Sequence, residues 1–272
     1  MDVLDLDFMR RALIAAVLVG LTAPSVGIYL VQRRMSLIGD GMGHIALTGV
    51  GIGLLMGQAP TLAALGVAIV GAVAVELVRV RGRTSGDIAL ALMFYGGIAG
   101  GVVLVSTASS GLPVNLDAYL FGAITTTSSS DLILFAVLAA VVLGVSFGLS
   151  RLLFACANDE EYARASGLPV LAVNIVLAVM TAVTVVVAMR VVGLLLVSAL
   201  MIVPVALAQL VRGSFASTLV LATAIGVVVS AGGVLGSYYA NLPSGGTIVL
   251  LAIGLFAIVA AGRGLVSKWV SR

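Results

Sequence analysis

The stretch Arg33-Arg34-Met35-Ser36-Leu37-Ile38-Gly39-Asp40-Gly41-Met42-Gly43-His44 joins two long apolar runs, 8–30 and 37–57. Each run has about the twenty residues a helix needs to cross roughly 30 Å of hydrocarbon. Paired arginines at such a junction mark a turn outside the bilayer. The composition agrees, since the 272 residues are 61% hydrophobic and 9% charged, with a mean hydropathy of +1.27. Soluble domains carry roughly 45–50% apolar residues. The expected fold class is an all-α polytopic membrane protein.

The second half of the stretch places the only histidine of the chain, His44, four residues after Asp40. Residues at that spacing share a helix face. Ionisable groups inside a membrane segment are costly and point to function. A carboxylate with an imidazole suits zinc, manganese or iron(II), whereas calcium and magnesium prefer oxygen shells. Two ligands do not close a tetrahedral site, but a transport site must let its ion leave. The alternative is structural: Asp40 caps the amides of Gly41 to Gly43 and satisfies His44.

Working outward, nine spans are expected, at about 8–30, 37–57, 60–79, 87–106, 131–153, 169–189, 191–211, 215–238 and 245–262. The span at 191–211 contains Pro204 and becomes two half-helices if it breaks there, which leaves eight full spans. Arg33, Arg34, Arg79, Arg81, Arg83, Arg151, Arg164, Arg212, Arg263, Lys268 and Arg272 all fall between spans on one side. The positive-inside bias makes that side cytoplasmic, with the N-terminus outside and the C-terminus inside the plasma or inner membrane. The acidic start, Asp2, Asp5 and Asp7, with no early small-residue cleavage site, implies that the first span is retained. Glycine pairs such as Gly49/Gly53 and Gly97/Gly101 allow close helix packing in lipid.

One cytoplasmic loop differs from the others. In 154–168, Asn158 or Asp159 can cap a helix, Glu160 and Glu161 occupy its first turn, and Gly167 with Pro169 ends it. The helix is read either as a docking surface or as a solvated connector. Other polar residues are weaker candidates. Glu76 lines a path or pairs with Arg79 three residues on, and Asp87 after Ser85-Gly86 is an N-cap before it is a ligand. Arg190 is expected to snorkel to the outer interface.

Several classes are excluded. The single cysteine, Cys156, permits no internal disulfide and no cysteine-based zinc site within one chain. Scattered methionines make no copper(I) ladder, and no aromatic-interleaved basic patch suggests nucleic acid. No Gly-rich loop ends in Gly-Lys-Ser/Thr, so the chain has no phosphate cradle and is not an ATPase. An intramembrane metalloprotease needs about three protein ligands and a base. One histidine does not supply them.

Three motifs carry a resemblance over nearly the whole length. They are Arg33 to Asp40 with His44, Asp159-Glu160-Glu161-Tyr162-Ala163-Arg164 followed by Gly167, and Val192-Gly193-Leu194-Leu195-Leu196-Val197-Ser198-Ala199-Leu200-Met201-Ile202-Val203-Pro204. With these the chain resembles the permease subunits of metal-ion ABC importers, which carry zinc, manganese or iron(II). Family members typically have Ala-Leu-Ser where this chain has Gly41-Met42-Gly43, and proline where it has Thr48.

The resemblance implies a type II ABC-importer-like homodimer, each chain one transmembrane permease domain over 1–272. It implies two ATPase subunits below, an extracytoplasmic metal-binding protein above and no resident cofactor. It also implies that the helix at 159–166 couples to the ATPase, that Asp40 and His44 meet the ion, and that Gly193 and Pro204 mark a broken or gating helix. Zinc is the first expected cargo, with manganese or iron(II) next. The alternative is a secondary metal transporter driven by an ion gradient, which would show inverted repeats.

Overall fold

A computed structural model describes residues 6–81, 86–108, 116–122 and 127–270. Among these residues every regular element is a helix. The helices are α1 (Asp7–Gln32), α2 (Ile38–Leu55), α3 (Pro60–Arg81), α4 (Gly86–Ala108), α5 (Leu116–Phe121) and α6 (Ser129–Gly148). They continue with α7 (Ser150–Asn158), α8 (Glu160–Ala165), α9 (Val170–Met189), α10 (Val197–Val211), α11 (Phe215–Ala240) and α12 (Ser244–Val270).

Eight helices are long and apolar enough to cross a membrane: α1, α2, α3, α4, α6, α9, α11 and α12. The expected ninth span is corrected. Residues 190–196 are not helical, and only α10, 15 residues long, follows. The break is at Gly193, whose φ of +86° belongs to the left-handed region. Pro204 lies inside the continuous α10 and does not split it. The expected span 131–153 is also shortened, because the helix turns at Leu149 between α6 and α7.

Burial orders the bundle. Helices α1 and α9 are covered along most of their length, with Tyr29 and Met189 fully buried. Peripheral helices leave large apolar side chains exposed, among them Val70 on α3, Leu92 on α4, Val137 on α6 and Ile258 on α12. In water such a surface would be a liability. Against lipid tails it costs nothing, so contact between helices depends on close backbone fit.

Helix α2 shows that fit. A Cβ at Gly49 would stand 2.5 Å from Ala64 Cα and one at Gly53 2.8 Å from Pro60 Cα, which brings α3 onto one side. A Cβ at Gly97 would stand 2.7 Å from the His44 carbonyl carbon and one at Gly101 2.8 Å from Leu47 Cγ, which brings α4 onto the other. Both glycine pairs therefore hold the histidine-bearing helix.

Candidate functional site

Asp40 lies in the first turn of α2, where the helix dipole favours a carboxylate. Three alternating glycines let this turn sit deep among its neighbours. A Cβ on Gly39 would meet Ser198 Oγ, on Gly41 Leu90, and on Gly43 Leu194. Asp40 itself is half-buried.

His44 is 8% exposed. Its ring stands edge-on to Phe94, with centroids 4.5 Å apart. Its Nδ1 is buried and has no hydrogen-bond partner. A buried imidazole nitrogen in that condition is an exception that needs an explanation, a water or an ion among them. No hydrogen bond joins it to Asp40, so the arrangement in which the carboxylate satisfies the histidine is not the one observed. Among the described residues, no three His, Cys, Asp or Glu side chains gather to hold a metal.

The level of the pair in the bundle is not what its place in α2 suggests. His44 is near the start of its own helix, the seventh of its 18 residues. It packs, however, against Gly97 at the middle of α4. Its neighbour Gly43 meets Val185, near the end of α9, and Leu194 beyond it. At 1.5 Å per residue, α2 begins well inside the bundle, and His44 sits at mid-depth.

Directly over it lies segment 190–196. The backbone N–H of Leu194 donates to the Tyr119 carbonyl at 2.9 Å, and that of Leu195 to the Leu120 carbonyl at 3.2 Å. The Ser244 hydroxyl donates to the Val191 carbonyl at 2.8 Å. Arg190, expected to reach the outer interface, is half-buried and partnered. Its guanidinium pairs with Asp131 at 3.1 Å and donates to the Tyr119 hydroxyl at 3.2 Å. Asp131 also forms a capping box with Ser128 at the start of α6.

At the opposite end, Asp159 caps α8 by accepting from the Tyr162 amide at 2.9 Å. Gly167, at φ +78°, ends the turn. The helix covers 160–165 of the expected 159–166, and the start of the 154–168 loop belongs to the separate α7, 150–158. Glu161 and Tyr162 are exposed, and Ala163 is buried. Glu160 turns inward. Its Oε2 accepts from Arg33 Nη2 at 2.8 Å and lies 3.4 Å from Arg79 Nη2, and its Oε1 accepts from Arg164 at 3.2 Å. Burial pushes the Glu160 carboxyl up, but the facing Arg79 and Arg33 guanidiniums outweigh it and hold the group below the usual range.

Glu76 is also drawn into this cluster. Arg79 donates to both of its oxygens, at 3.0 and 2.7 Å. The sequence offered a path residue or an ion pair, and the geometry is that of the pair. Asp87 is in the first turn of α4, and its side chain lies outside the described residues. A cavity of about 350 Å³ beside the cluster is lined by Arg33, Arg34, Arg79, Cys156 and Glu160. Glu160 and the neighbouring Glu76 offset two of the three guanidiniums there.

Sequence spacing missed the inward turn of Glu160 and the partners of Arg190. Both depend on helices far apart in the chain.

Residues 5–263 match the model of the ABC 3 transport family. The chain belongs to that family. ABC 3 relatives include a probable metal transport system membrane protein of Treponema pallidum, 32% identical over 258 residues, covering 95% of this chain and 96% of the relative. The manganese transport system membrane protein MntC of Listeria monocytogenes is 31% identical over 252 residues, covering 93% and 89%. Among solved structures, PsaBC from Streptococcus pneumoniae in complex with Fab superposes with a TM-score of 0.85 at 30% identity, covering 95% of this chain and 93% of that one. As an ABC 3 protein the chain is a transport subunit and not itself a catalyst, which agrees with its missing phosphate loop.

Proposed function

We propose that this ABC 3 permease imports a divalent transition-metal ion, manganese first, and that Asp40 and His44 are the protein groups the ion meets. The observation that carries this reading is the buried His44 Nδ1 without a partner, one turn from a half-buried carboxylate. Zinc was the first expectation. Relatives named for manganese reverse that order, and an oxygen with one nitrogen donor accommodates either ion. Family membership replaces the gradient-driven alternative.

Two ligands per chain favour a homodimer in which two copies offer four donors to one ion. Two ATPases bind the face that carries Glu161 and Tyr162, and an extracytoplasmic binding protein delivers the ion at the opposite face. That orientation rests on Arg33, Arg79 and Arg164, which converge on Glu160 at one end of the bundle and mark the cytoplasmic side. The non-helical segment around Gly193 then forms the outer gate, closed over His44.

The test is competition. Vesicles holding the permease and its ATPase, supplied with ATP, are offered manganese, zinc and iron(II) together. Manganese accumulates ahead of the others; zinc accumulating first would overturn the assignment of cargo while leaving the transporter reading in place.

A further inference from the structure

Helix α8 is six residues long, too short to hold its place by propensity alone. One carboxylate does much of the holding. Glu160 Oε2 accepts from Arg33, the C-cap residue of α1, and lies within 3.5 Å of both terminal nitrogens of Arg79 on α3. Arg33 is itself held on its other side, donating from Nη1 to the Asn174 side-chain oxygen on α9 at 2.7 Å. Arg79 is held by Glu76. The inner ends of α1, α3 and α9 are thus tied to the short helix through a single residue, while Glu161 and Tyr162 beside it are exposed.

The tie reaches the ion pair by a short route. Arg33 caps the end of α1, and only four residues, 34–37, separate it from Ile38, where α2 begins. That link is tight. Arg34 takes a left-handed φ of 58°, and the Met35 amide donates back to the Leu30 carbonyl at 2.9 Å. Any displacement of Glu160 must move the Arg33 end of this link or break a charge-assisted contact, of the stronger class of hydrogen bond. Asp40 stands in the first turn beyond it.

We propose that Glu160 and Arg33 are positioning residues for transport: they convert movement of α8 into movement of the head of α2, and they take no part in binding the ATPase. The inference rests on the reading of α8 as the ATPase-docking helix and divides that helix into an outward docking face and an inward anchor.

The experiment uses the full permease–ATPase complex in vesicles and reads three quantities: co-purification of the ATPase, ATP hydrolysis, and manganese moved per ATP hydrolysed. Glu160→Gln and Arg33→Gln should each lower manganese per ATP about tenfold, with ATPase co-purification within twofold of wild type. The double variant should be no worse than the worse single one, as expected for two groups acting through one contact. Glu160→Asp keeps the charge but shortens the reach, and it should fall between wild type and Glu160→Gln, which guards against a misfolded variant.

An unchanged ratio, an additive double loss, or loss of the ATPase from Glu160→Gln would each overturn the proposal. Glu161→Ala and Tyr162→Ala report on docking separately and should lose the ATPase. If they retain it while Glu160→Gln still uncouples, the docking face is wrong and the anchor stands.

Discussion

Gly193 and Gly122 face each other backbone to backbone, each with a positive φ, of 86° and 76°. A Cβ on either would overlap the other's main chain. Their contact closes the non-helical segment 190–196 against α5, and Leu194, next in the chain, rests on Gly43 beside the sole histidine.

Gly193→Ala should therefore lose more stability than a left-handed conformation alone costs, about 1–2 kcal/mol. Gly167, at φ +78° with open space around it, isolates that conformational cost. Thermal unfolding in detergent should rank Gly193→Ala well below Gly167→Ala. Equal losses would show that the Gly193–Gly122 contact is loose.

Glu76 and Asp40 should separate by what they change. Glu76 is 3% exposed and bound through both oxygens by Arg79, so Glu76→Gln strands a guanidinium and costs up to about 3 kcal/mol, the lower end for a broken buried pair, because Glu160 remains nearby. Ion preference should not shift. Asp40→Asn should do the reverse, changing the order of manganese and zinc uptake with little change in melting temperature. Competition uptake and thermal unfolding on the same two variants decide between them.

The anchor should depend on pH in one direction. The Glu160 carboxyl is held below its usual range, facing Arg33, Arg79 and Arg164, with Glu76 on the far side of Arg79. A lowered folded value stabilises fully above the ordinary glutamate pKa of about 4.3 and is lost as pH falls below it. The stability gap between wild type and Glu160→Gln should be flat from pH 7 to about pH 5 and close at lower pH. A gap that narrowed between pH 7 and 6 would point to another group.

Orientation has a direct test, though not with the native thiol. Cys156 is 2% exposed, and burial pushes its pKa up, so thiol reagents should react slowly from either side. Cysteine at the exposed position 161 (Glu161→Cys), in permease produced without its ATPase so that the docking face is uncovered, should label in inside-out vesicles and not in intact cells. Labelling in intact cells would place α8 outside and remove it from any ATPase.

Much of this was legible in the sequence. The spans could be read because hydropathy and interruption by arginine are local signals, and Asp159 could be named as a cap because capping needs one side chain and an amide three residues on. The ninth span misread for a reason equally physical: residues 191–196 are apolar enough for a helix, but the amides of Leu194 and Leu195 are taken by the carbonyls of Tyr119 and Leu120, partners some seventy residues away. The depth of His44 was hidden similarly. Its index within α2 says little about its level, because Gly39, Gly41 and Gly43 let that helix begin inside the bundle. The inward turn of Glu160 required four helix ends to meet.

The most direct test of the central claim is manganese uptake by vesicles containing the permease and its ATPase, wild type against His44→Ala, with and without ATP. The account predicts ATP-dependent uptake in the wild type and a fall of at least tenfold in His44→Ala, with the ATPase still bound. Normal ATP-dependent uptake by His44→Ala would contradict it.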